Sequence, residues 1–419
     1  MSRSWLTRLS RFESQMAFES ADTDEPIIVY ASALGCNVVD VDGNRYVDLA
    51  AGFGALLLGH LAQRPARALE MQSHRLWTAL GDVFPSDAKI AMLERVAGLY
   101  PAPGARALLC QSGSDAITAA IKTATLYTGR AGVVAFEGTY HGLGYGPLAA
   151  CGYRDSFRQP FAAQLNPQVS FAPYPCDESE LQASLSHVRK CLESHTFGAV
   201  LVEPILGRGG CVVPPAAFLP ELVSLAHANG ALLIADEIWT GLGRCGSMLA
   251  CSQVGAVADI VCFGKGLGGG LPISACVAPD SIMQAWKSTP GVVHTSTFQG
   301  NALACSTGVA TIDAIKFGKL AERASELGCR FLDQLRGALS GNPLVRKVTG
   351  AGLMIGIALD SGTTAEALRR VLLAKGYLLV AGGADGSVLT LTPPLTIPEE
   401  LLEGFTATFA DVVDERARA

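Results

Sequence analysis

Short apolar runs bounded by glycine, proline or charged residues recur along the chain. One run, Ala231–Ala235, ends on the two carboxylates Asp236 and Glu237. Another, Ile260–Phe263, is followed by Lys265 between two glycines. Short runs without polar alternation predict strands that are buried on both faces of a parallel sheet. Because ligands of such sheets bind beyond the carboxyl ends of the strands, we expect Asp236 and Lys265 to meet in one crevice.

Further runs of this kind alternate with segments of helical periodicity. The additional predicted strands are Ala107–Cys110, Val133–Phe136, Ala199–Val202 and Ser274–Ala278. The predicted helices cover Ser86–Tyr100, Asp115–Tyr127 and Pro220–Asn229, and a long one opens at Thr295–Asn301 and runs to about Ile315. Strands that alternate with helices predict an α/β fold with a mostly parallel sheet flanked by helices.

Both ends of the chain have a different pattern. Asn37–Leu49 alternates apolar and polar residues on either side of Asp42-Gly43, which predicts a hairpin. Towards the carboxyl terminus the pattern predicts a strand at Gly350–Gly356, a helix and strand over Thr364–Leu379, and a final apolar run at Val388–Leu395. We therefore predict a large domain over residues 56–310 and a smaller α+β domain made of an N-terminal segment, residues 1–55, and a C-terminal part, residues 311–419.

A carboxylate and a lysine amine in one crevice suit a pyridine-ring cofactor. The carboxylate keeps the ring nitrogen protonated, and the amine forms a Schiff base with the cofactor aldehyde. The alternative interpretation is ordinary: Asp236 and Glu237 begin a loop or helix, and Lys265 is an exposed loop lysine.

Two neighbouring stretches favour the cofactor interpretation. The loop Ser112-Gly113-Ser114 enters a predicted helix, and free backbone N–H groups at a helix N-terminus form a good seat for phosphate. Tyr140 follows the strand that ends at Phe136, where an aromatic ring could stack on a flat cofactor. Each stretch also has a simpler explanation: Ser112-Gly113-Ser114 is a plain helix cap, and Tyr140 is a turn residue that covers the edge of the core.

Composition and charge exclude several classes of function. The chain has 419 residues, of which 49% are hydrophobic, enough for a large core and a buried subunit interface. Its net charge of −6 gives no reason to expect affinity for nucleic acid. No apolar run reaches the roughly 18 residues of a membrane span. The N-terminal segment, residues 1–13, lacks the apolar core of a signal peptide, and we expect it to pack on a partner subunit rather than on a membrane surface.

The patterns of cysteine, histidine and glycine bear on the redox compartment, on metal binding and on the choice of cofactor. Twelve cysteines occur without a CxxC pair, which predicts reduced thiols in a cytoplasmic protein. No histidine spacing is typical of a metal site, so none is proposed. Gly241, Gly243 and Gly246 match the dinucleotide fingerprint, but they lie about five residues beyond the strand end, and we reject a nicotinamide cofactor.

Taken together, the motifs resemble one family. They are Ser112-Gly113-Ser114, Tyr140-His141-Gly142, Glu203-Pro204, Asp236-Glu237 with Thr240-Gly241, Lys265, and Thr297-Phe298 with Gly300-Asn301. In combination they resemble the class III, or omega-type, aminotransferases, which are fold type I pyridoxal phosphate enzymes. The resemblance extends from the Asp42-Gly43 turn to Pro393-Pro394, and it implies that residues 56–310 form the domain that binds pyridoxal 5′-phosphate.

The resemblance also implies roles for the residues around the ring. Lys265 is then the Schiff-base lysine and the acid/base that moves a proton between the substrate α-carbon and the cofactor. Asp236 pairs with the pyridinium nitrogen. Tyr140 and Ile238 pack on the two faces of the ring, and Glu203 supports the site near the ring hydroxyl.

The remaining implied contacts involve the phosphate and a second subunit. Gly113 and Ser114 hold the phosphate, and Ser112 and His141 belong to the same set of cofactor-binding positions. Thr297 is implied to reach the phosphate site of the neighbouring subunit, so that the active enzyme is a homodimer.

Several departures from the family pattern concern the substrate. Leu143 and Thr390 stand where 4-aminobutyrate enzymes of the family have carboxylate-binding arginines, and Arg208 stands where they have the glutamate that pairs with one of them. Trp239 replaces a glutamine beside the ring, and Asp115 replaces a glutamate. We hypothesise that Arg208 binds a substrate carboxylate, because the arginine fork recognises carboxylates in bidentate fashion. The alternative is a solvent-exposed loop arginine.

We therefore predict an aminotransferase that moves an amino group from an amine, omega-amino acid or amino acid to an oxo acid or aldehyde. One alternative within the family is an amino-acid racemase or epimerase, whose phosphate loops resemble Gly113–Ala116. Another is an aminomutase, which the stretch Val212–Pro215 resembles. An alternative of another class is a non-catalytic binding protein that retains the fold.

Overall fold

A computed structural model describes residues 1–14 and 28–418 of the chain, so residues 15–27 of the predicted N-terminal segment lie outside the described residues. The strands are β1 Tyr30–Leu34, β2 Asn37–Asp40, β3 Arg45–Asp48, β4 Ala105–Cys110, β5 Gly132–Phe136, β6 Val169–Ala172, β7 Phe197–Val202, β8 Leu232–Asp236, β9 Ile260–Phe263, β10 Ser274–Pro279, β11 Val345–Ala351, β12 Met354–Leu359, β13 Tyr377–Leu378, β14 Val380–Gly382 and β15 Val388–Leu391. The α-helices are α1 Ser2–Leu9, α2 Ala51–Gly54, α3 Gln63–Ser73, α4 Asp87–Ala97, α5 Gly113–Thr128, α6 Tyr145–Ala149, α7 Asp155–Arg158, α8 Glu178–Glu193, α9 Phe218–Ala228, α10 Asp280–Met283, α11 Ala302–Phe317, α12 Leu320–Ala338, α13 Gly362–Ala374 and α14 Glu399–Arg418.

Seven strands form the central sheet, in the order β4-β10-β9-β8-β7-β5-β6. The strands β9, β8, β7, β5 and β6 are parallel to their neighbours in this order. Within the described residues, β10 is the strand that runs opposite to the rest of this sheet, because it pairs antiparallel with both β4 and β9. The predicted α/β class and the mostly parallel sheet are therefore confirmed.

Both faces of this sheet are buried, which explains the continuous apolar runs. In β8, Leu233 and Ala235 belong to a core cluster that includes residues of α4, α8, α9 and α11. Ile234 lies between them and faces the opposite side, where it packs in a cluster with Ala116 and Ile117 of α5. Since successive side chains of a strand point to opposite faces, a strand covered on both sides needs apolar residues at every position.

The remaining strands form two four-stranded sheets, β1-β2-β3-β13 and β11-β12-β15-β14. The predicted hairpin at Asp42-Gly43 is present as β2 and β3. The parallel pairing of β3 with β13 joins the N-terminal segment to the C-terminal part through backbone hydrogen bonds. This pairing supports the proposed small domain, and the predicted domain boundaries themselves stay a proposal.

The prediction of one strand at Gly350–Gly356 was wrong. The chain reverses there, and β11 pairs antiparallel with β12, with Ala351 opposite Met354. Gly352 adopts a left-handed φ of 55°, and a Cβ on it would lie 2.5 Å from the backbone carbon of Cys245. Glycine meets both demands, the left-handed backbone and the close approach, at no steric cost.

The N-terminal helix α1 is fixed to the hairpin turn of the small sheet. The backbone N–H of Ser2 donates to Asp42 Oδ2 at 3.0 Å, and the amino terminus forms an ion pair with the same carboxylate. Trp5 stays half exposed on this helix, and its packing on a partner subunit remains a prediction. Across the described residues, no helix combines the length and the apolar character that a bilayer span requires.

Candidate active site

A cavity of about 270 Å³ lies beyond the carboxyl ends of the central strands. The residues that line it are Gly113, Ser114, Tyr140, His141, Gly142, Leu143, Glu203, Arg208, Asp236, Ile238, Trp239 and Lys265. Strand β8 ends at Asp236, and Lys265 follows two residues after the end of β9. The two neighbouring strands therefore deliver their carboxylate and amine to one cavity, as the strand pattern predicts.

Two groups hold the buried carboxylate of Asp236. His141 Nδ1 lies 2.7 Å from Asp236 Oδ2, and the backbone N–H of Ile238 donates to Asp236 Oδ1 at 3.1 Å. His141 is itself 2% exposed, and its Nε2 is buried without a hydrogen-bond partner among the described residues. The carboxylate is thus fixed in orientation at the cavity wall by groups from two loops.

Lys265 has an unusual backbone and an unusual side-chain environment. Its φ of 41° is left-handed, a conformation that non-glycine residues adopt at a cost of about 1–3 kcal/mol and that is concentrated at functional sites. The ammonium lies 4.4 Å from the centroid of the Trp239 ring. Burial lowers the pKa of Lys265 to about 8, Asp236 and Glu203 oppose this shift, and Arg208 adds to it. A substantial fraction of this amine is therefore neutral near pH 8.

Glu203 supports the loop that carries Tyr140. Its Oε1 accepts the Tyr140 N–H at 2.6 Å, and its Oε2 accepts the Gly207 N–H at 2.8 Å. Burial raises the pKa of Glu203 to about 7, an effect that His141 opposes and Asp236 reinforces. Because it joins the loops after β5 and β7, this carboxylate sets the distance between the two cavity walls.

The first turn of α5 forms another wall of the cavity. Ser112 caps the helix, because its hydroxyl accepts the Asp115 N–H at 3.2 Å. Gly113 and Ser114 therefore lie in the first turn, where the backbone N–H groups have no acceptor within the helix. A Cβ at Gly113 would lie 2.9 Å from Ile238 Cδ1, and one at Gly142 would lie 2.7 Å from Ser114 Cβ. Glycines at these positions let the loops approach the helix terminus closely.

Two predicted site residues do not line this cavity. Ser112 is exposed, and the structure gives it the capping role that was the simpler sequence interpretation. Thr297 is also exposed, in the segment before α11, and the cavity of its own chain is formed without it. Its predicted contact with a neighbouring subunit stays a prediction.

Arg208 lies at the cavity wall rather than in an exposed loop. It is partly buried, and its guanidinium carbon is 4.7 Å from the Tyr140 ring centroid and 5.3 Å from that of Tyr153. Tyr153 in turn donates its hydroxyl to the Gly383 carbonyl at 2.9 Å. Sequence reasoning missed Tyr153, because it stands in no motif and follows no predicted strand.

The arrangement fits pyridoxal phosphate. A buried carboxylate suits a protonated ring nitrogen, and a lysine with a lowered pKa suits bonding to an aldehyde. The helix terminus at Gly113 and Ser114 suits a phosphate. The slot between Tyr140 and Ile238, which both line the cavity, suits a flat ring.

Comparisons with known proteins agree with this geometry. The family model described as aminotransferase class-III matches residues 18–413. An acetylornithine aminotransferase from Mycobacterium bovis is 36% identical over 400 residues, 94% of this chain and 94% of that protein. A 4-aminobutyrate aminotransferase from the same organism is 34% identical, over 93% of this chain and 91% of its own length.

A solved structure has the same fold over its whole length. An ornithine aminotransferase from Toxoplasma gondii, with partial occupancy of pyridoxal phosphate at its active site, superposes with a TM-score of 0.89 at 28% identity. The match covers 100% of this chain and 96% of that chain. The names of these relatives support transamination and give no support to the racemase or aminomutase alternatives. The chain therefore belongs to the class III aminotransferases and is a pyridoxal phosphate-dependent enzyme that transfers amino groups.

Proposed function

We propose that Lys265 bonds covalently to the cofactor aldehyde and that Asp236 pairs with the ring nitrogen. The observation that carries this proposal is the presence, in one cavity, of an amine with a lowered pKa and a carboxylate fixed by His141. When bound, pyridoxal phosphate supplies an aldehyde that condenses with amines and a pyridinium ring that accepts electrons. Once the substrate amino group has displaced Lys265 from the aldehyde, the freed Nζ would be the base that holds the proton removed from the substrate carbon, which suits an amine with a pKa near the working pH.

The other cavity residues position the ring in this proposal. Gly113 and Ser114 hold the phosphate at the α5 terminus, and His141 keeps Asp236 in place. Glu203, which accepts the Tyr140 and Gly207 N–H groups, would support the cavity wall near the ring hydroxyl. Trp239 occupies the wall beside the Lys265 ammonium and excludes water there.

The proposed donor is an amine or an amino acid with a terminal amino group, and the acceptor is an oxo acid or aldehyde. Arg208 binds the substrate carboxylate, since it is the cavity-lining cation apart from Lys265 in the described part of the chain. The similarity to an acetylornithine and a 4-aminobutyrate aminotransferase supports this class of substrate.

We further propose that the enzyme is a cytoplasmic homodimer. Large apolar side chains are exposed outside the cavity, among them Leu61, Trp77, Phe84 and Phe298, and a second subunit would cover them. Thr297 then completes the partner's phosphate site. All twelve cysteines are free thiols, which suits a reducing compartment.

A half-reaction screen tests the proposal. Single amines and amino acids are added to the cofactor-loaded enzyme, and the absorbance spectrum of the bound cofactor is recorded. Conversion of the cofactor to its amine form by a donor with a terminal amino group is the expected result, and Lys265→Ala should abolish covalent retention of the cofactor after borohydride treatment. Solvent deuterium entering an amino acid without cofactor conversion would contradict the proposal and indicate a racemase.

A further inference from the structure

Outside the cavity, three potential metal ligands meet at the amino-terminal end of α5. They are Cys110 at the end of β4, Asp115 in the first turn of α5, and His294 in the segment that leads to α11. One donor atom from each residue lies within 4.8 Å of the others. None of the three lines the cofactor cavity, so this cluster is separate from the site described above.

The spacing of the donor atoms suits a tetrahedral metal ion. Cys110 Sγ lies 3.8 Å from His294 Nε2, and Asp115 Oδ1 lies 3.5 Å from the same nitrogen. With Zn–S near 2.3 Å and Zn–N or Zn–O near 2.0–2.1 Å, ligands at a tetrahedral zinc are separated by about 3.3–3.6 Å. These two separations are within about 0.3 Å of this range, and the Cys110–Asp115 separation is no more than 4.8 Å. The Asp115–His294 distance exceeds that of a normal hydrogen bond.

The direction of approach distinguishes a metal site from a nucleophile triad. In a triad, the nucleophile and the carboxylate bind opposite nitrogens of the imidazole ring. Here the thiol and the carboxylate both approach Nε2 of His294, so the two groups lie on the same side of the imidazole ring.

Neighbouring groups hold the ligands in position. Asp115 Oδ2 accepts the Gln111 N–H at 3.1 Å, which leaves Oδ1 facing His294. The carbonyl of Val293 accepts a hydrogen bond from Lys122 Nζ at 3.0 Å, which fixes the chain next to His294. Cys110 is 1% exposed, whereas Asp115 and His294 are partly exposed, so an ion can reach the cluster from their side.

We propose that Cys110, Asp115 and His294 bind a borderline divalent transition-metal ion such as Zn²⁺, with water as the fourth ligand. On binding, the Cys110 thiol releases its proton and the sulfur bonds to the metal, while neutral His294 and ionised Asp115 donate electron pairs. The ion would tie the first turn of α5 to the segment that carries Thr297. The inference does not rest on the proposed function, because it uses none of the cavity residues.

Cobalt titration of the tag-free, cofactor-loaded enzyme tests this site. We expect one Co²⁺ per chain to give a thiolate-to-cobalt charge-transfer band that Zn²⁺ abolishes by displacement. Cys110→Ser should remove the band, and His294→Gln or Asp115→Asn should weaken the affinity by more than about tenfold. Cys305→Ser, which changes another buried cysteine in α11, is the matched control and should leave the band intact.

Two results would overturn the proposal. One is the lack of a thiolate band in the wild-type enzyme at saturating Co²⁺, and the other is a band that survives Cys110→Ser. If Cys110→Ser does not fold, His294→Gln replaces it as the test variant, since His294 is partly exposed in a connecting segment and its substitution should not prevent folding. Unchanged Zn²⁺ affinity of His294→Gln in equilibrium dialysis would then rule out the site.

Discussion

Replacing Arg208 by alanine removes the cation that we assign to the substrate carboxylate. A charge-assisted bidentate contact contributes about 1.5–3 kcal/mol, so kcat/KM for donors with a carboxylate should fall by about 10–140-fold. Neutral amine donors lose only the stacking of Arg208 on Tyr140, which lies at 4.7 Å from the ring centroid. Since such stacking contributes about 0.5–1 kcal/mol at partly exposed sites, neutral donors should change by less than about fivefold.

A second readout follows from the electrostatics of the cavity. Burial is the main cause of the lowered pKa of Lys265, and Arg208 lowers this pKa further. Arg208→Ala should therefore raise the pKa of Lys265 and move cofactor capture by the cofactor-free protein to higher pH. Arg208→Lys keeps the charge but loses the planar fork, so it should preserve the pH profile while recovering only part of the carboxylate discrimination.

Steady-state kinetics with paired donors, one carrying a carboxylate and one neutral, provide the assay. Arg154→Ala is the matched control, because Arg154 stacks on Tyr153 at 4.9 Å and bonds the Ala384 carbonyl without lining the cavity. We expect this control to affect both donors equally and weakly. An Arg208→Ala enzyme that loses the same factor with both donors, or that keeps its apparent affinity for every carboxylate donor, would refute the assignment.

Three further predictions concern the lysine, the tryptophan wall and the helix cap. The pKa of Lys265 is about 8, and the neutral amine is the form that reacts with the aldehyde. The rate at which the cofactor-free protein captures the cofactor, followed by absorbance, should therefore rise about tenfold between pH 6 and pH 7 and level off above about pH 9. A rate that does not change with pH would contradict the lowered pKa of Lys265. Gly54→Ala places a Cβ 2.4 Å from Trp239 Nε1 and should lower turnover by displacing the indole, whereas Gly43→Ala, also left-handed but with open space, should lower only stability. Ser112→Ala should reduce the free energy of unfolding by about 1 kcal/mol in urea titrations, and an unchanged midpoint would argue against the cap.

The sequence allowed six of the seven strands of the central sheet to be predicted, because both faces of the sheet are buried. The edge strand β6, which is mostly half-buried, was missed. Runs such as Ile260–Phe263 are apolar at every position, and a short run of this kind between glycines or charged residues is typical of a strand covered on both faces. The direction of each strand could not be predicted from the same apolar pattern. Ser274–Pro279 is as apolar as the parallel strands of the sheet, yet it pairs antiparallel with β4 and β9, since composition reports burial and not orientation.

For the site, the sequence predicted the positions at strand ends better than those in loops. Asp236 and Lys265 were predicted to meet because the carboxyl ends of neighbouring parallel strands share one edge. Arg208 and Tyr153 come together through loop conformations that no periodicity encodes. Gly352 shows the same limit in the small domain, where a single left-handed residue turns a predicted strand into a hairpin.

The pairing of β3 with β13 has a consequence for the order in which the chain folds during synthesis. The paired residues Val47 and Tyr377 are about 330 residues apart, so at about 5–20 residues per second the first strand waits roughly 15–65 s for its partner. During that interval the large sheet between them can form, but the edge of β3 stays unpaired. A ribosome-bound chain therefore exposes an open strand edge until Tyr377 and Leu378 have been synthesised, and such an edge is a template for pairing with another chain.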